Sequence, residues 1–444
     1  MGATLFDIIP LEELARHAEH AHLPWMLHSR LLEKLDDGQL RVYRDIEIPL
    51  LPVLADMEME GIGLDLPRFS TLREELQTRV EELQARAHEM AGRSFNLGSV
   101  KELRVILFDE LGLPPQKKTK SGFSTDSSVL EKLREFHPLP GAILDYRALS
   151  KLLRTYVEKL PDYVASDGRI HTTLHQAVAA TGRLSSADPN LQNIPVRTVE
   201  GRRIRAAFVP RPGTVFLSCD YSQVELRILA HFCGEGTLVD AFRDGEDIHR
   251  RTASEIFGVP VEDVGAEQRT AAKAINFGLI YGMSAFRLSG DLAISRAEAQ
   301  SYMDQYFARL PGVEAFIEEA REMARDRGWT DTLYGRRRIV PGIHSRNFSE
   351  RTAAEREAVN MRVQGTAADL VKLAMIRVHE SLRNRGFEAR MLLQVHDELL
   401  LEVPTAEVEE VTVLVKEAME GVADFAVPLQ VNTAVGENWN DAHG

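Results

Sequence analysis

Cysteine is scarce. The 444 residues hold two, Cys219 and Cys233, without the spacing of a metal knuckle or a disulfide framework, which sets aside a stapled secreted scaffold and a zinc ribbon. Both read as small apolar residues in a reducing, intracellular setting. Long apolar runs are missing as well, since none approaches the ~18 residues of a membrane span. The start, MGATLFDIIPLEEL, has neither a basic opening nor a long apolar core, so it lacks the secretory-leader pattern. A soluble, unexported, cytoplasmic chain is expected. Positive charge is in deficit, with 53 basic against 67 acidic residues and a net charge of −14. That sum argues against a surface that is basic throughout, and leaves local charge distribution to decide about nucleic acid. Arginine outnumbers lysine, which suits forked phosphate contacts but equally follows from genome composition or growth temperature. The length suggests about three domains, and 44% hydrophobic content can fill large cores.

What is present centres on Thr214 to Arg227, TVFLSCDYSQVELR. Val215, Phe216 and Leu217 follow the turn signal Arg211-Pro212-Gly213 as a short strand, and Gln223 to His231 reads as a helix. Asp220 therefore sits at a strand-to-helix junction. The bland alternative is a cap, because Ser222-x-x-Glu225 is a literal capping box. Downstream, Arg390 to Val403 reads RMLLQVHDELLLEV, two apolar runs around His396-Asp397-Glu398. This is a hairpin pattern with adjacent carboxylates at its tip. Carboxylates flanked by buried strands need a cation or a well-solvated cleft. A hard divalent ion such as Mg²⁺, which keeps positions for water and phosphate, is the natural partner. If Asp220 and Asp397 end neighbouring strands, they can share two such ions; a solvated hairpin tip is the alternative.

Between them, RTAAKAINFGLIYG places Arg269, Lys273, Phe277 and Tyr281 at every fourth position, on one broad helix face. Two cations near a helix N-terminus suit a triphosphate, and an aromatic ring suits a sugar or base. The competing reading buries the two rings in a core and solvates the two cations.

DYSQVELR, RTAAKAINFGLIYG and QVHDE (Gln394 to Glu398), joined by TGRLSSADPNLQNIPVRT (Thr181 to Thr198) and QGTAAD (Gln364 to Asp369), resemble the motifs of family A DNA polymerases, the bacterial DNA polymerase I type. The match runs in order from about Val42 to the C-terminus. The resemblance implies an α+β right-hand polymerase fold, an antiparallel palm sheet with helical thumb and fingers. It implies template-directed DNA synthesis, of use in replication and repair, with a primer-template duplex and deoxynucleoside triphosphates as partners and two Mg²⁺ ions as cofactors. On this view Asp220, Asp397 and the carbonyl of Tyr221 bind metal, and Glu398 is a supporting carboxylate. Lys273, Arg269, His249, Gln223, Phe277 and Tyr281 surround the nucleotide. Glu225 lies beneath the sugar with the ring at 277, excluding a 2′-hydroxyl, and Phe in place of Tyr there implies poor acceptance of sugars lacking the 3′-hydroxyl. Arg183, Gln192, Asn193, Gln364, Gln394 and His396 lie along the primer-template. Minor-groove acceptors shared by all correct pairs let such contacts check geometry without choosing a base. Reverse transcription on RNA templates and a non-catalytic duplex-binding remnant are the alternatives.

The rest of the chain supplies the remaining parts. Residues 1–40 look helical and would be the remnant of a 3′–5′ exonuclease-like domain. No Asp occurs between Ile8 and Lys34, where that domain's last metal motif needs one, so proofreading is not expected, and the start at Met1 suggests a truncation. A helical pattern from Val42 to Met59 stops at Gly61 and Gly63. Leu72, Leu76, Val80, Leu83, Ala87 and Met90 give a long amphipathic helix, and Ser99-x-x-Glu102 opens another. Gln116 to Gly122 reads as a mobile basic loop whose Lys117, Lys118 and Lys120 either stay solvated or grip duplex phosphates. Ala142 to Leu160 reads as a helix and Arg169 to Ala177 as a strand. The expected division is palm 41–66, thumb 67–160, palm 161–228, fingers 229–390 and palm 391–444, in a monomer. Arg336, Arg337 and Arg338 read as a solvated corner or as template contacts. Two residues depart from the family pattern: Thr270 replaces a second basic residue, and Arg362 replaces proline, either as a flexible cation near the duplex or as a neutral surface change.

Overall fold

A computed structural model of the chain describes residues 11–120, 122–234 and 236–443; positions 1–10 of the expected remnant and Ser121 of the basic loop lie outside them. At the centre is a four-stranded antiparallel sheet in the order Arg390–Val395, Glu398–Pro404, Thr214–Tyr221, Val431–Gly436. Because successive strand residues point to opposite faces, each face builds its own core. Leu217, Cys219 and Tyr221, with Leu399, Leu401 and Val403, pack into one, while Phe216 and Leu400 pack into the other. The first core is completed by helices between residues 224 and 385, by Ile48–Glu60 and by Val408–Glu420. The second is completed by Leu66–Ala91, Ser127–Leu133 and Leu139–Leu152. The architecture is α+β, and the sheet stands between two helical masses.

Leu66–Ala91 is the expected amphipathic helix. Asp65 caps it by accepting from Arg68 N, Pro67 occupies its first turn, and Gly92 ends it in the left-handed region at φ 70°, as C-terminal glycines commonly do. Gly61 similarly stops Ile48–Glu60, but Gly63 lies in a strand, Ile62–Leu64. A Cβ at Gly63 would stand 2.5 Å from the Val209 carbonyl oxygen of the paired strand, so only glycine fits there.

Three expectations change. The Arg169–Ala177 run is split between two sheets, Arg169–Ile170 against Ile62–Leu64 and Thr173–His175 against Ser185–Ala187. Buried Thr172 turns the chain between them through bonds to Ser186 Oγ at 2.7 Å and the Pro189 carbonyl at 2.9 Å. The basic loop is a small hairpin, Lys118–Thr119 against Gly122–Phe123, with Lys117 paired to Asp126 at 3.3 Å and Lys118 and Lys120 exposed. Residues 229–390, expected to be helical, also carry the hairpin Trp329–Asp331, Arg337–Ile339. No helix among the described residues is long and apolar enough to cross a membrane.

Candidate active site

The hairpin turn between Arg390–Val395 and Glu398–Pro404 is His396-Asp397, and its register sets Glu398 opposite Asp220 on the neighbouring strand. The amide of Tyr221 donates to the Asp397 carbonyl at 3.2 Å. The junction after Asp220 and the hairpin tip thus meet. Each contains a non-glycine residue in the left-handed region, Gln223 at φ 53° and His396 at φ 57°. Such backbone is held only where its surroundings determine it. At the tip they do: Gln394 Nε2 donates to the His396 carbonyl, and Gln192 Nε2 donates to the Gln394 carbonyl at 3.0 Å.

The capping-box reading fails. The helix is Val224–Cys233, and its N-cap makes no side-chain bond. Glu225 instead accepts from Arg183 Nη2 at 2.8 Å and from the Tyr281 hydroxyl. It thereby joins the Thr181–Thr198 segment to the end of the cationic helix.

The carboxylates differ in state. Asp220 is pushed up to about 6, first by burial, then by the charges of Glu398 and Asp397. Asp397 is also raised by burial, with Arg183 and His396 opposing. Burial would raise Glu398 too, but the His443 imidazole at 3.2 Å and the Ser218 hydroxyl at 2.8 Å outweigh it and hold the carboxyl below its usual range. Asp220 and Asp397 are half-buried, and among the described residues neither has an ion-pair partner. Half-buried anions facing one another call for a cation. The available donors are oxygens, since the Cys219 thiol is buried in the core beneath and pushed up to about 12. An oxygen set fits a hard ion such as Mg²⁺. Among the described residues no three His, Cys, Asp or Glu side chains gather to hold an ion, so an ion held here would draw further ligands from oxygens other than these side chains.

The cationic helix is Ala266–Ile280, with Tyr281 closing it. Lys273 is exposed. Arg269 is half-buried and paired with Asp247 at 2.8 Å. Phe277 and Tyr281 are partly buried and pack against the main core, so the core reading of these rings holds in part. His249 is buried 5.8 Å from the Phe277 ring. Asn193 is exposed and Gln364 half-buried.

Four cations are paired or buried where the sequence suggested solvated surface. Arg336 pairs with Asp369 at 2.6 Å and with Glu47, Arg337 with Asp36, and Arg338 with Glu357 at 2.8 Å. Arg362 is buried, neither flexible nor superficial: its guanidinium lies 4.7 Å from the Phe232 ring and 5.2 Å from Phe316, beside Glu319 at 2.9 Å. Aromatic faces and a rim carboxylate offset its charge, while its buried Nε and Nη1 make no hydrogen bond among the described residues. Thr270 is exposed and bonds back to the Ala266 carbonyl at 2.8 Å. Sequence reasoning missed Asp247, although Asp before a helix is a readable capping signal. It also missed His443, for which position 443 offered no local signal.

Glu225 itself is held up at about 7, mainly by burial, with Asp397 adding and Arg183 opposing. A carboxyl raised on folding binds more protons folded than unfolded, so its contribution to stability falls as pH rises from about 4.5 to 7. Glu225→Gln is therefore expected to raise the thermal midpoint by a few degrees at pH ~8, and the gain should vanish near pH ~5. Melting curves of both proteins at the two pH values check this; a variant that melts lower at both overturns it.

Residues 67–441 match the model of DNA polymerase family A. The chain is 51% identical over 444 residues to DNA polymerase I of Pseudomonas aeruginosa, covering 99% of this chain and 49% of that protein. It is 51% identical over 432 residues to the thermostable DNA polymerase I of Thermus thermophilus, covering 96% and 52%. A solved structure, the POL domain of Pol1 from M. smegmatis in complex with DNA primer-template and dNTP, superposes with a TM-score of 0.87 at 44% identity, over 91% of this chain and 72% of that one. The chain spans about half the length of the curated relatives it matches. With a family match over residues 67–441 that takes in the carboxylate-bearing sheet and the cationic helix, the chain belongs to DNA polymerase family A.

Proposed function

We propose that the chain catalyses template-directed DNA synthesis, adding deoxynucleotides to a primer 3′-hydroxyl with release of pyrophosphate. One observation carries the reading: Asp220 and Asp397 meet at adjacent strand ends, half-buried and, among the described residues, without an ion-pair partner. A duplex-binding remnant has no use for that arrangement. The palm is the four-stranded sheet with its flanking segments (41–66, 161–228, 391–444), the thumb is 67–160 and the fingers are 229–390. One chain supplies every group, so a monomer suffices.

Asp220, Asp397 and the Tyr221 carbonyl would hold two Mg²⁺ ions, with Glu398 behind them. Held there, such ions would supply positive charge against the transferred phosphoryl group and would favour deprotonation of the primer hydroxyl. The 3′-oxygen forms the new bond to the α-phosphorus, the bond to the β-phosphate oxygen breaks, and the hydroxyl proton passes to solvent. Lys273 neutralises the departing pyrophosphate and Arg269 assists it, while Glu225 and Phe277 close the space a 2′-hydroxyl would need. Arg183, tied to Glu225, lies along the primer-template with Gln192, Asn193, Gln364, Gln394 and His396; exposed Lys118 and Lys120 meet duplex phosphates.

Labelled-primer extension on matched DNA and RNA templates, with Mg²⁺ or with Mg²⁺ chelated, tests this. Extension on DNA that stops on chelation is expected, and the RNA lane reads template choice. Intact primer-template binding without extension would leave the remnant reading in its place.

A further inference from the structure

A fully buried polar side chain needs a reason, and Asn276 is fully buried midway along Ala266–Ile280. Its partners lie on the neighbouring helix Ile248–Phe257. Asn276 and the Thr252 hydroxyl exchange bonds of 3.0 and 3.2 Å, which would be enough to glue the helices together. A further bond runs from Asn276 Nδ2 to His249 Nδ1 at 3.1 Å. An amide nitrogen can only donate, so with Nδ2 facing the ring, Nδ1 is the acceptor and the ring proton belongs on Nε2.

We infer that Asn276 is a positioning residue that holds neutral His249 as the Nε2–H tautomer and so presents a hydrogen-bond donor to the incoming triphosphate. This rests on the proposed function, in which His249 borders the triphosphate. With Nδ1 engaged, Nε2 has no partner among the described residues. The groups that face the imidazole are Phe277, Arg269 and Lys273 on one helix and Asp247 at the start of its own. Burial, with the fields of Arg269 and Lys273, brings the ring down to about 4 against the pull of Asp247. At neutral pH the ring therefore carries one proton. On Nε2 that proton can bond a phosphate oxygen, whereas on Nδ1 it would leave a lone pair facing the anion. Fixing the remote nitrogen is how second partners commonly set a histidine's working face.

Two measurements test this. In the full chain without substrate, ring-¹⁵N NMR reads the His249 tautomer directly, its signal being identified by loss in His249→Gln. A bare Nδ1 with a protonated Nε2 from about pH 6 to 8 is expected, and an Nδ1–H tautomer overturns the inference without recourse to any substitution at 276. Asn276→Asp then reverses the geometry, because a carboxylate accepts the Nδ1 proton. Its KM for the nucleotide should rise about tenfold near pH ~8 and recover toward pH ~6, where a doubly protonated ring regains its Nε2 donor. The parent's KM should vary little and kcat should change less than KM. A purely structural defect would instead shift the variant evenly at all pH values, and a KM that runs parallel to the parent's overturns the inference. Should the parent extend no primer at all, the functional reading fails, while the NMR measurement still decides how Asn276 sets His249.

Discussion

Asp397→Asn is expected to lower the rate of primer extension by at least about 10³-fold, roughly 4 kcal/mol of transition-state stabilisation, without lowering the thermal midpoint. Asparagine keeps the shape of the hairpin tip and its backbone bond to Tyr221, which runs through the main-chain carbonyl and not the side chain. It removes one of the charges that would hold two divalent ions over the reacting phosphate, where neutralisation is most of the catalysis. It also removes repulsion with Asp220, so the resting fold gains or holds even. Loss of rate with an unchanged melting curve separates a catalytic role from a structural one. Single-turnover extension and melting of both proteins measure the pair of effects; a variant within tenfold of the parent's rate would show that Asp397 is not where catalysis happens.

The parts of this site legible in the sequence are those whose signals are local. A β-favouring run ending in Asp220 and followed by a 3.6-residue period dictates strand, junction and helix within a dozen positions, and two apolar runs around His396-Asp397 dictate a hairpin in the same way. The unbroken apolar run Leu399, Leu400, Leu401 leaves no polar face, in keeping with a sheet covered on both sides. What the sequence hid was pairing at long range. Arg336 and Arg337 meet acids 289 and 301 positions away, and no local pattern separates an arginine that neutralises Glu47 from one that meets a phosphate. Arg362 looked superficial because arginine usually is; Phe232 and Phe316, on two other helices, bury it. Glu225 offered a local signal that was misleading, since the capping box scored the backbone and overlooked the stronger partners Arg183 and Tyr281.

The largest expected loss of stability lies away from the chemistry, in the contact between the four-stranded sheet and the sheet that includes Ile62–Leu64. Glu402 and Arg169 are paired at 2.9 Å with side chains only 2% and 5% exposed. Arg169, from the sheet that includes Ile62–Leu64, also donates to the Glu60 carbonyl at 2.7 Å and the Gly61 carbonyl at 2.8 Å. The second oxygen of Glu402 takes Arg211 at 3.0 Å, and Arg211 reaches on to Glu60 at 2.7 Å. Glu402→Leu would strand the Arg169 charge in an interior that provides only two carbonyls, at a cost of about 3–5 kcal/mol. Arg211→Ala removes only the outer arm, whose side chain is 45% exposed, and should cost ~1 kcal/mol or less. Replacing both buried partners, Arg169→Met with Glu402→Leu, should recover most of the loss, because the penalty belongs to the unpaired charge and not to the missing bond. Glu402 lies four residues along its strand from Glu398, about 13 Å, so extension per folded molecule should survive at low temperature. Urea midpoints for the transition that unfolds the central sheet rank the three variants. If Glu402→Leu falls no further than Arg211→Ala, or the double variant no less than the single one, the buried pair does not hold the sheets together and apolar packing around Phe208 and Phe216 carries that contact instead.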